Sequence, residues 1–260
     1  MPKYVKRTRR PRKATRRPNK RTGKGYVTKQ QVARMIGRRI EDKFTYNTAN
    51  QDDISNVIGN SPYFNSLNFY VSGQGTGDGA RIGNRCTIKS ARLTGSLNFR
   101  DYNALNNSKQ LAQIVTLVVF KLRNYTSGVN PTYANTFAHM FQLGNTSGPL
   151  TNTPLDHIRS FNKDVFMIKT IRKFKMGFSQ PAVSVSTDTV ASNNDFKYQA
   201  FFKIPLTKYY KKTQIFNDGE ANVRNDNLFF MVFTAPADGS VFTSTPLDIS
   251  WDWECKYEDA

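Results

Sequence analysis

The residue types that do chemistry in proteins are scarce in this sequence, and their spacing does not group them. There are two histidines, His139 and His157, and neither is close to a cysteine along the chain. An enzyme site needs a nucleophile with a base, a metal cluster or paired carboxylates. The acidic pairs Asp52-Asp53 and Glu258-Asp259 fall where a loop and a terminus are expected, so solvated charge is their usual role. The sequence therefore predicts surface or interface histidines, no catalytic residues, no metal site and no cofactor.

The two cysteines, Cys86 and Cys255, do not form a disulfide framework. A small secreted domain stapled by disulfides carries four or more cysteines. Both cysteines lie in stretches of β character, so we expect two reduced cysteines within strands.

The strongest functional signal is a run of basic residues in the first part of the chain. Residues 1–43 hold 17 lysines and arginines and two acidic residues, a net charge of +15. The remaining residues hold 21 basic and 17 acidic side chains, a net charge of +4. The basic candidates for nucleic-acid contact are Lys3, Lys6, Arg7, Arg9, Arg10, Arg12, Lys13, Arg16, Arg17, Lys20, Arg21, Lys24, Arg34, Arg38 and Arg39. We name residues 1–26 the basic arm.

The basic arm is predicted to be disordered and to bind nucleic acid through phosphates. It has too little apolar surface to fold alone, and Pro11 and Pro18 disfavour a helix. Lysine and arginine neutralise phosphates in any base sequence and release counterions, so the binding is expected to be independent of sequence. The same cluster is compatible with a nuclear import signal and a host import receptor as partner. The weaker alternative is a tail that only aids solubility.

A second candidate contact lies in the body of the chain, at Tyr209, Tyr210, Lys211 and Lys212. Two aromatic rings beside two cations could stack bases and contact phosphates. The alternative that we favour is a loop between subunits.

The elements that must position these residues begin with a predicted amphipathic helix over residues 27–44. Its apolar residues Val32, Met35, Ile36 and Ile40 recur at helical spacing. Residues 45–84 have little regularity and are expected to be loop. Residues 45–260 are predicted to form one jelly-roll domain, which the helix joins to the basic arm.

The rest of the chain is predicted to be all-β. Leu247–Tyr257 alternates apolar and polar residues without interruption, and 112–122 is apolar throughout, as in a strand covered on both faces. The stretch 85–99 changes phase after Ser90, which indicates a β-bulge. Further strands are expected at 137–143, 164–176, 196–204 and 227–234. Strands without intervening helices, joined by long loops, favour a single eight-stranded antiparallel jelly-roll β-sandwich.

One stretch carries a resemblance to a known family. Arg81, Gly83, Arg85, Ile88, Lys89 and Ser90 match the Arg-Val-Gly-Lys-Arg-x-x-Ile-Lys-Ser pattern of geminivirus coat proteins. The apolar stretch 115–125 and the basic stretch 166–176 follow in a similar order. The chain thus resembles the capsid proteins of small circular single-stranded DNA viruses.

The resemblance implies a jelly-roll subunit that assembles with about 60 copies into a T=1 icosahedral shell. It implies packaged circular single-stranded DNA, with the protein in the virion and, during infection, in the host nucleus. A capsid protein of a satellite-like RNA virus and a cellular basic nucleic-acid-binding protein are the alternatives. No apolar stretch reaches the roughly 20 residues of a membrane span, so no membrane partner is expected.

Overall fold

The computed structural model describes residues 42–54, 62–71, 83–100, 112–123, 131–132, 134–177, 197–239 and 245–259. All of them belong to one compact unit, Ile40–Ala260. The described residues form eleven strands and three short 3-10 turns, and no α-helix. The strands are β1 (Asp42–Ile54), β2 (Tyr63–Ser66), β3 (Arg85–Phe99), β4 (Gln113–Leu122), β5 (Phe141–Leu143), β6 (Thr146–Gly148), β7 (Phe166–Met176), β8 (Gln199–Pro205), β9 (Thr213–Ile215), β10 (Phe229–Pro236) and β11 (Leu247–Asp259). The turns are Phe137–His139, Pro154–His157 and Thr207–Tyr209.

Sheet 1 contains five strands in the order β1-β11-β3-β8, with β9 paired to the start of β3. Every pairing in it is antiparallel. Strand β11 alternates strictly, with each apolar residue from Leu247 to Tyr257 buried and each polar residue between them partly exposed. Such alternation places one face of the sheet on a core and the other in water.

Sheet 2 contains four strands in the order β2-β10-β4-β7, also antiparallel. Every residue of β10 is buried, and β4 is buried from Val115 to Phe120. A strand that is buried on both faces needs a layer on each side. Two separate apolar clusters supply those layers.

The first cluster lies between the two sheets and makes the arrangement a sandwich. It joins inward residues of β3 and β11 to Val115, Leu117 and Val119 of β4. The rings of Phe230 and Trp251 meet edge to face across it, with their centroids 5.2 Å apart.

The second cluster covers the outer face of sheet 2. Val118 and Phe120 point into it, together with Phe137 and Phe141 from the connection between β4 and β7. This connection folds back over its own sheet and buries apolar surface there, so it contributes to stability.

The structure corrects three predictions. Residues 42–44, expected to end a helix, begin β1, and residues 45–54, expected to be loop, continue it. Residues 27–41 and the basic arm lie outside the described residues. The described residues form eleven strands against the predicted eight, and β5, β6 and β9, of three residues each, are the additional ones. The predicted bulge in β3 is confirmed: Ile88 and Ser90 face consecutive residues of β11, which leaves Lys89 as the extra residue.

Candidate nucleic-acid interface

The basic candidates from Lys3 to Arg39 lie outside the described residues. Within the described residues, the candidate interface therefore consists of cations in the body of the chain. Three places carry them: the segment 207–212, strand β7, and a pocket beside β7.

Tyr210 lies in the core and is not available to stack on a base. Its side chain is 8% exposed. Its hydroxyl donates a hydrogen bond to the carbonyl oxygen of Leu67 and accepts one from Nε1 of Trp253 at 2.9 Å. Burial raises the pKa of Tyr210 well above its usual value. The ring therefore contributes to folding. The prediction that Tyr210 stacks on a base is wrong.

Tyr209 is partly buried against the same core. Lys208 lies over its ring, with Nζ 4.9 Å from the centroid. One face of the ring thus meets a cation, so the arrangement favours a cation–π contact within the protein.

Lys211 and Lys212 are exposed, and the backbone holds both in place. The amide of Lys211 donates to Oδ2 of Asp226 at 2.6 Å, and the carbonyl of Lys212 accepts from the amide of Ile88 at 2.9 Å. Of the four residues predicted here, these two have side chains free to contact phosphate. They provide charge at a fixed position without a stacking partner.

Strand β7 forms the end of sheet 2 and presents a cationic edge, which we define as Lys169, Arg172, Lys173 and Lys175. In the part of the chain that the structure describes, Lys169, Arg172 and Lys173 have no carboxylate within ion-pairing distance. Burial lowers the pKa of Lys169, and the nearby charge of Lys121 lowers it further. Positive charge is thus concentrated at this edge. The sequence shows that 164–176 is rich in basic residues. It does not show that this segment is the edge strand of a sheet.

Three basic residues of sheet 1 are paired instead. On its solvent face each of three cations meets a carboxylate oxygen at 2.5 Å, in the pairs Lys89–Glu258, Arg92–Glu254 and Lys256–Asp42. Paired charges attract a polyanion less than unpaired ones. Among the described surfaces, the cationic edge of β7 is therefore the better candidate for contact with phosphate.

A pocket lies beside the cationic edge, against the outer face of sheet 2. Its volume is about 520 Å³. Thr116 and Phe233 form its floor, the segment 156–161 one wall and β7 the other. We call it the β7 pocket.

His157 lines the β7 pocket, and its burial corrects the expected surface position. The side chain is 6% exposed, and its ring stacks on Phe233 with centroids 5.1 Å apart. Nδ1 lies 2.7 Å from Oγ1 of Thr116, whereas Nε2 is buried and has no hydrogen-bond partner in the described structure. Burial, together with the charge of Lys173, lowers the pKa of His157 to about 4. The ring is neutral at physiological pH.

The remaining sequence candidates lie apart from one another. His139 is exposed, as expected, with Nδ1 2.8 Å from Oγ of Ser147. Both acidic pairs lie in strands, against the expected loop and terminus: Asp53 pairs with Arg100 at the end of β1, and Glu258-Asp259 lies at the end of β11.

Cys86 and Cys255 are buried within β3 and β11, which confirms that both cysteines lie in strands. Among the described residues, no three His, Cys, Asp or Glu side chains gather in a group that could hold a metal ion. The described helical segments include none with the length and apolarity of a membrane span.

Comparison with known proteins assigns no family to the chain. No family model matches it, and no curated protein matches it. A solved structure of PNGF-II is similar over 87% of this chain and 36% of that chain, with 9% sequence identity and a TM-score of 0.34. The chain thus spans about a third of the length of that protein.

Proposed function

We propose that this chain is the capsid protein of a small virus and that its basic arm packages single-stranded DNA. The observation that carries the proposal is the division of charge. Residues 1–43 hold a net charge of +15, whereas the remainder, which includes the β-sandwich, holds +4. A folded shell domain with a separate polycation is suited to enclosing a polyanion.

The strand order supports a jelly roll as the finer description of the sandwich. Its eight principal strands are β1, β2, β3, β4, β7, β8, β10 and β11. Along the chain, the first pairs with the eighth, the second with the seventh, the third with the sixth and the fourth with the fifth. This is the pairing of one long hairpin folded over itself, which distributes the strands over two four-stranded sheets.

Assembly requires a surface on which copies meet, and sheet 1 offers one. Its solvent face carries the large apolar side chains of Phe44, Tyr46 and Phe201, and the last two are each 75% exposed. Exposed aromatic residues are enriched where proteins associate.

The arm neutralises the genome inside the shell. With about 60 copies, arms of about +15 each would supply on the order of 900 charges, against one phosphate charge per nucleotide. This offsets a good part of the charge on a genome of roughly one to two kilobases. Because neutralised phosphate favours close packing, shell and genome are expected to form together. The matches at Arg81–Ser90 favour circular DNA over RNA as the cargo, and the same arm would direct import into the host nucleus.

Recombinant full-length protein tests this function. Gel filtration with the 260/280 nm absorbance ratio across the high-mass peak, followed by negative-stain microscopy, should give uniform spherical particles. Their nucleic acid should resist added nuclease. After extraction, sensitivity to DNase or to RNase separates the DNA proposal from the satellite-like RNA alternative.

Deletion of residues 1–24 is the matched variant. It should leave the sandwich folded and remove protected nucleic acid from the particles. Shells that package normally without the arm would overturn the role of the arm. A monomer that binds only nuclease-accessible nucleic acid would instead favour a cellular nucleic-acid-binding protein.

A further inference from the structure

The β7 pocket has a shape and a lining that suit a small ligand. Its volume of about 520 Å³ falls within the usual range of ligand sites, roughly 300 to 1,000 Å³. The floor is the buried face of sheet 2, where Phe233 belongs to the second apolar cluster. A rigid floor of this kind holds a ligand in one place without a loop having to close.

Apolar side chains stand in the open at the mouth of the β7 pocket. Ile158 is 75% exposed, and Met167 and Ile171 of β7 are partly exposed on the opposite wall. Large exposed aliphatic groups on the lining of one pocket favour a flat apolar ligand that covers them. The ring face of a nucleobase is such an object, and packing against it needs no particular sequence.

Cations surround these apolar walls. Arg123 and Lys163 stand on one side, where Nε of Arg123 donates to the carbonyl oxygen of Lys163, and Lys173 stands on β7. Lys173 donates from Nζ to the carbonyl oxygen of His157 at 2.5 Å. None of the three cations forms an ion pair with a described carboxylate, whereas Arg159 is held by Asp156 at 2.9 Å. The pocket therefore presents three cations for a phosphate.

His157 adds a polar group that requires a partner. When the Thr116 hydroxyl donates to Nδ1, the proton of the neutral ring lies on Nε2, which has no acceptor in the described structure. A buried donor without an acceptor costs about 1–3 kcal/mol. A carbonyl oxygen on a base edge would satisfy it once a small shift of the ring opens Nε2, which has almost no accessible surface, to the pocket.

We infer that the β7 pocket binds a nucleoside phosphate, with the base between Ile158 and the β7 wall and the phosphate on Arg123 and Lys163. The inference rests on the proposed function in one respect: the natural source of that nucleotide would be the packaged strand. A free nucleotide has the same chemistry, and the test separates the two sources.

The test uses the full chain and thymidine 5′-monophosphate as the probe, with the unfolding temperature as the readout. A ligand stabilises a fold only if it prefers the folded state. The basic arm carries the same charges in the folded and unfolded chain, so binding to the arm should move the unfolding temperature little. We expect a saturable rise in the unfolding temperature with nucleotide.

Nucleotide binding is compared between two double variants, each with substitutions at exposed residues. Arg123→Gln with Lys163→Gln should weaken nucleotide binding at least about tenfold, because it removes both charge-assisted contacts to the phosphate. Lys203→Gln with Arg224→Gln removes the same charge at exposed positions elsewhere and should leave binding unchanged. No rise in unfolding temperature at millimolar nucleotide, or equal losses in both variants, would overturn the inference.

A third variant tests the role of His157 in binding the base. His157→Gln should weaken thymidine monophosphate more than deoxyribose 5-phosphate, which lacks the base. Equal weakening of the two ligands would remove His157 from base recognition. This ratio does not depend on a general loss of stability, which would affect both ligands alike.

The outcomes separate this inference from the proposed function. An oligothymidylate that binds more tightly than the monophosphate, with the same dependence on Arg123 and Lys163, assigns the pocket to a strand. Binding of the monophosphate alone assigns it to a free nucleotide. If particles protect nucleic acid but the monophosphate does not change the unfolding temperature, the capsid function is supported and nucleotide binding in the β7 pocket is wrong.

Discussion

Nε1 of Trp253 donates a hydrogen bond to the hydroxyl of Tyr210 at 2.9 Å in the middle of the sandwich. The same hydroxyl donates to the carbonyl oxygen of Leu67, which follows β2. One hydroxyl thus joins β11 of sheet 1, the segment after β8, and the backbone beside sheet 2. Since buried polar groups in a low-dielectric core depend strongly on their partners, this hydroxyl is expected to matter for stability.

Tyr210→Phe should lower the free energy of unfolding by about 1–3 kcal/mol, because it leaves a buried indole N–H and a buried carbonyl without a partner. Urea denaturation measures the loss. Tyr209→Phe is the control, since the Tyr209 hydroxyl has no hydrogen bond in the described structure, and its effect should stay within about 0.5 kcal/mol. Equal effects of the two changes would contradict the role of the Tyr210 hydroxyl.

Gly95 of β3 sits where an additional carbon has no room. A Cβ there would lie 2.4 Å from the carbonyl oxygen of Ser250 and 2.5 Å from Cζ of Phe202. Because one of these atoms is backbone of the neighbouring strand, Gly95→Ala should destabilise the fold by about 1–3 kcal/mol.

The control for Gly95 is Gly148→Ala. Its Cβ would meet only the end of the Leu143 side chain, at 2.5 Å, and that side chain is flexible and exposed. Thermal unfolding should show a clear drop for the first variant and a small one for the second. A drop of the same size in both would show that Phe202 and the β11 backbone yield easily.

The buried His157 should make the fold sensitive to acid. Its pKa is lowered to about 4 in the fold, against about 6.5 when unfolded, so the unfolded chain binds more protons between these values. Stability is therefore fully present above about pH 6.5 and falls as the pH drops toward 4, by up to about 3 kcal/mol.

His157→Gln removes this titration and should flatten that part of the pH profile. The measurement is the free energy of unfolding at several pH values from 7 to about 4. His139→Gln, a change at an exposed histidine, should keep the profile of the unaltered chain. If the profile of His157→Gln runs parallel to that of the unaltered chain, the acid sensitivity has another origin.

Strong periodicity in the sequence predicted much of the fold. The predicted strand 85–99 coincides with β3, and the alternation from Leu247 to Tyr257 identified β11 and its buried face. The apolar run in β4 predicted cover on both faces, as found. In each case burial of one or both faces of the strand dictates the residue types, so the pattern of apolar residues in the sequence predicts the strand.

The rest could not be predicted because its residue types serve long-range contacts. Strand β1 has mostly exposed, polar residues, and its identity comes from pairing with β11 along its whole length. His157 looks like a loop histidine in sequence, and only the fold places it against Thr116 and Phe233. The β7 pocket exists because the connection between β4 and β7 packs against the outer face of sheet 2. No local sequence pattern predicts that packing.

The salt dependence of nucleic-acid binding should identify the basic arm as the main source of charge. For single strands, the logarithm of affinity falls with the logarithm of salt concentration by about 0.7 per phosphate contact. The first 24 residues hold twelve basic side chains, so their deletion should reduce this slope by up to about 8. Lys211→Gln with Lys212→Gln should reduce it by only about 1.

Fluorescence anisotropy over a range of salt concentrations measures the slope for each variant. A homopolymer and a mixed-sequence oligonucleotide of equal length should bind the full chain alike, because phosphate contacts carry no sequence information. If the slope is unchanged by deletion of the arm, the phosphate contacts are made by the cationic edge of β7 and not by the arm. A strong preference for one oligonucleotide would instead mean that base contacts dominate, against a role in packaging by charge alone.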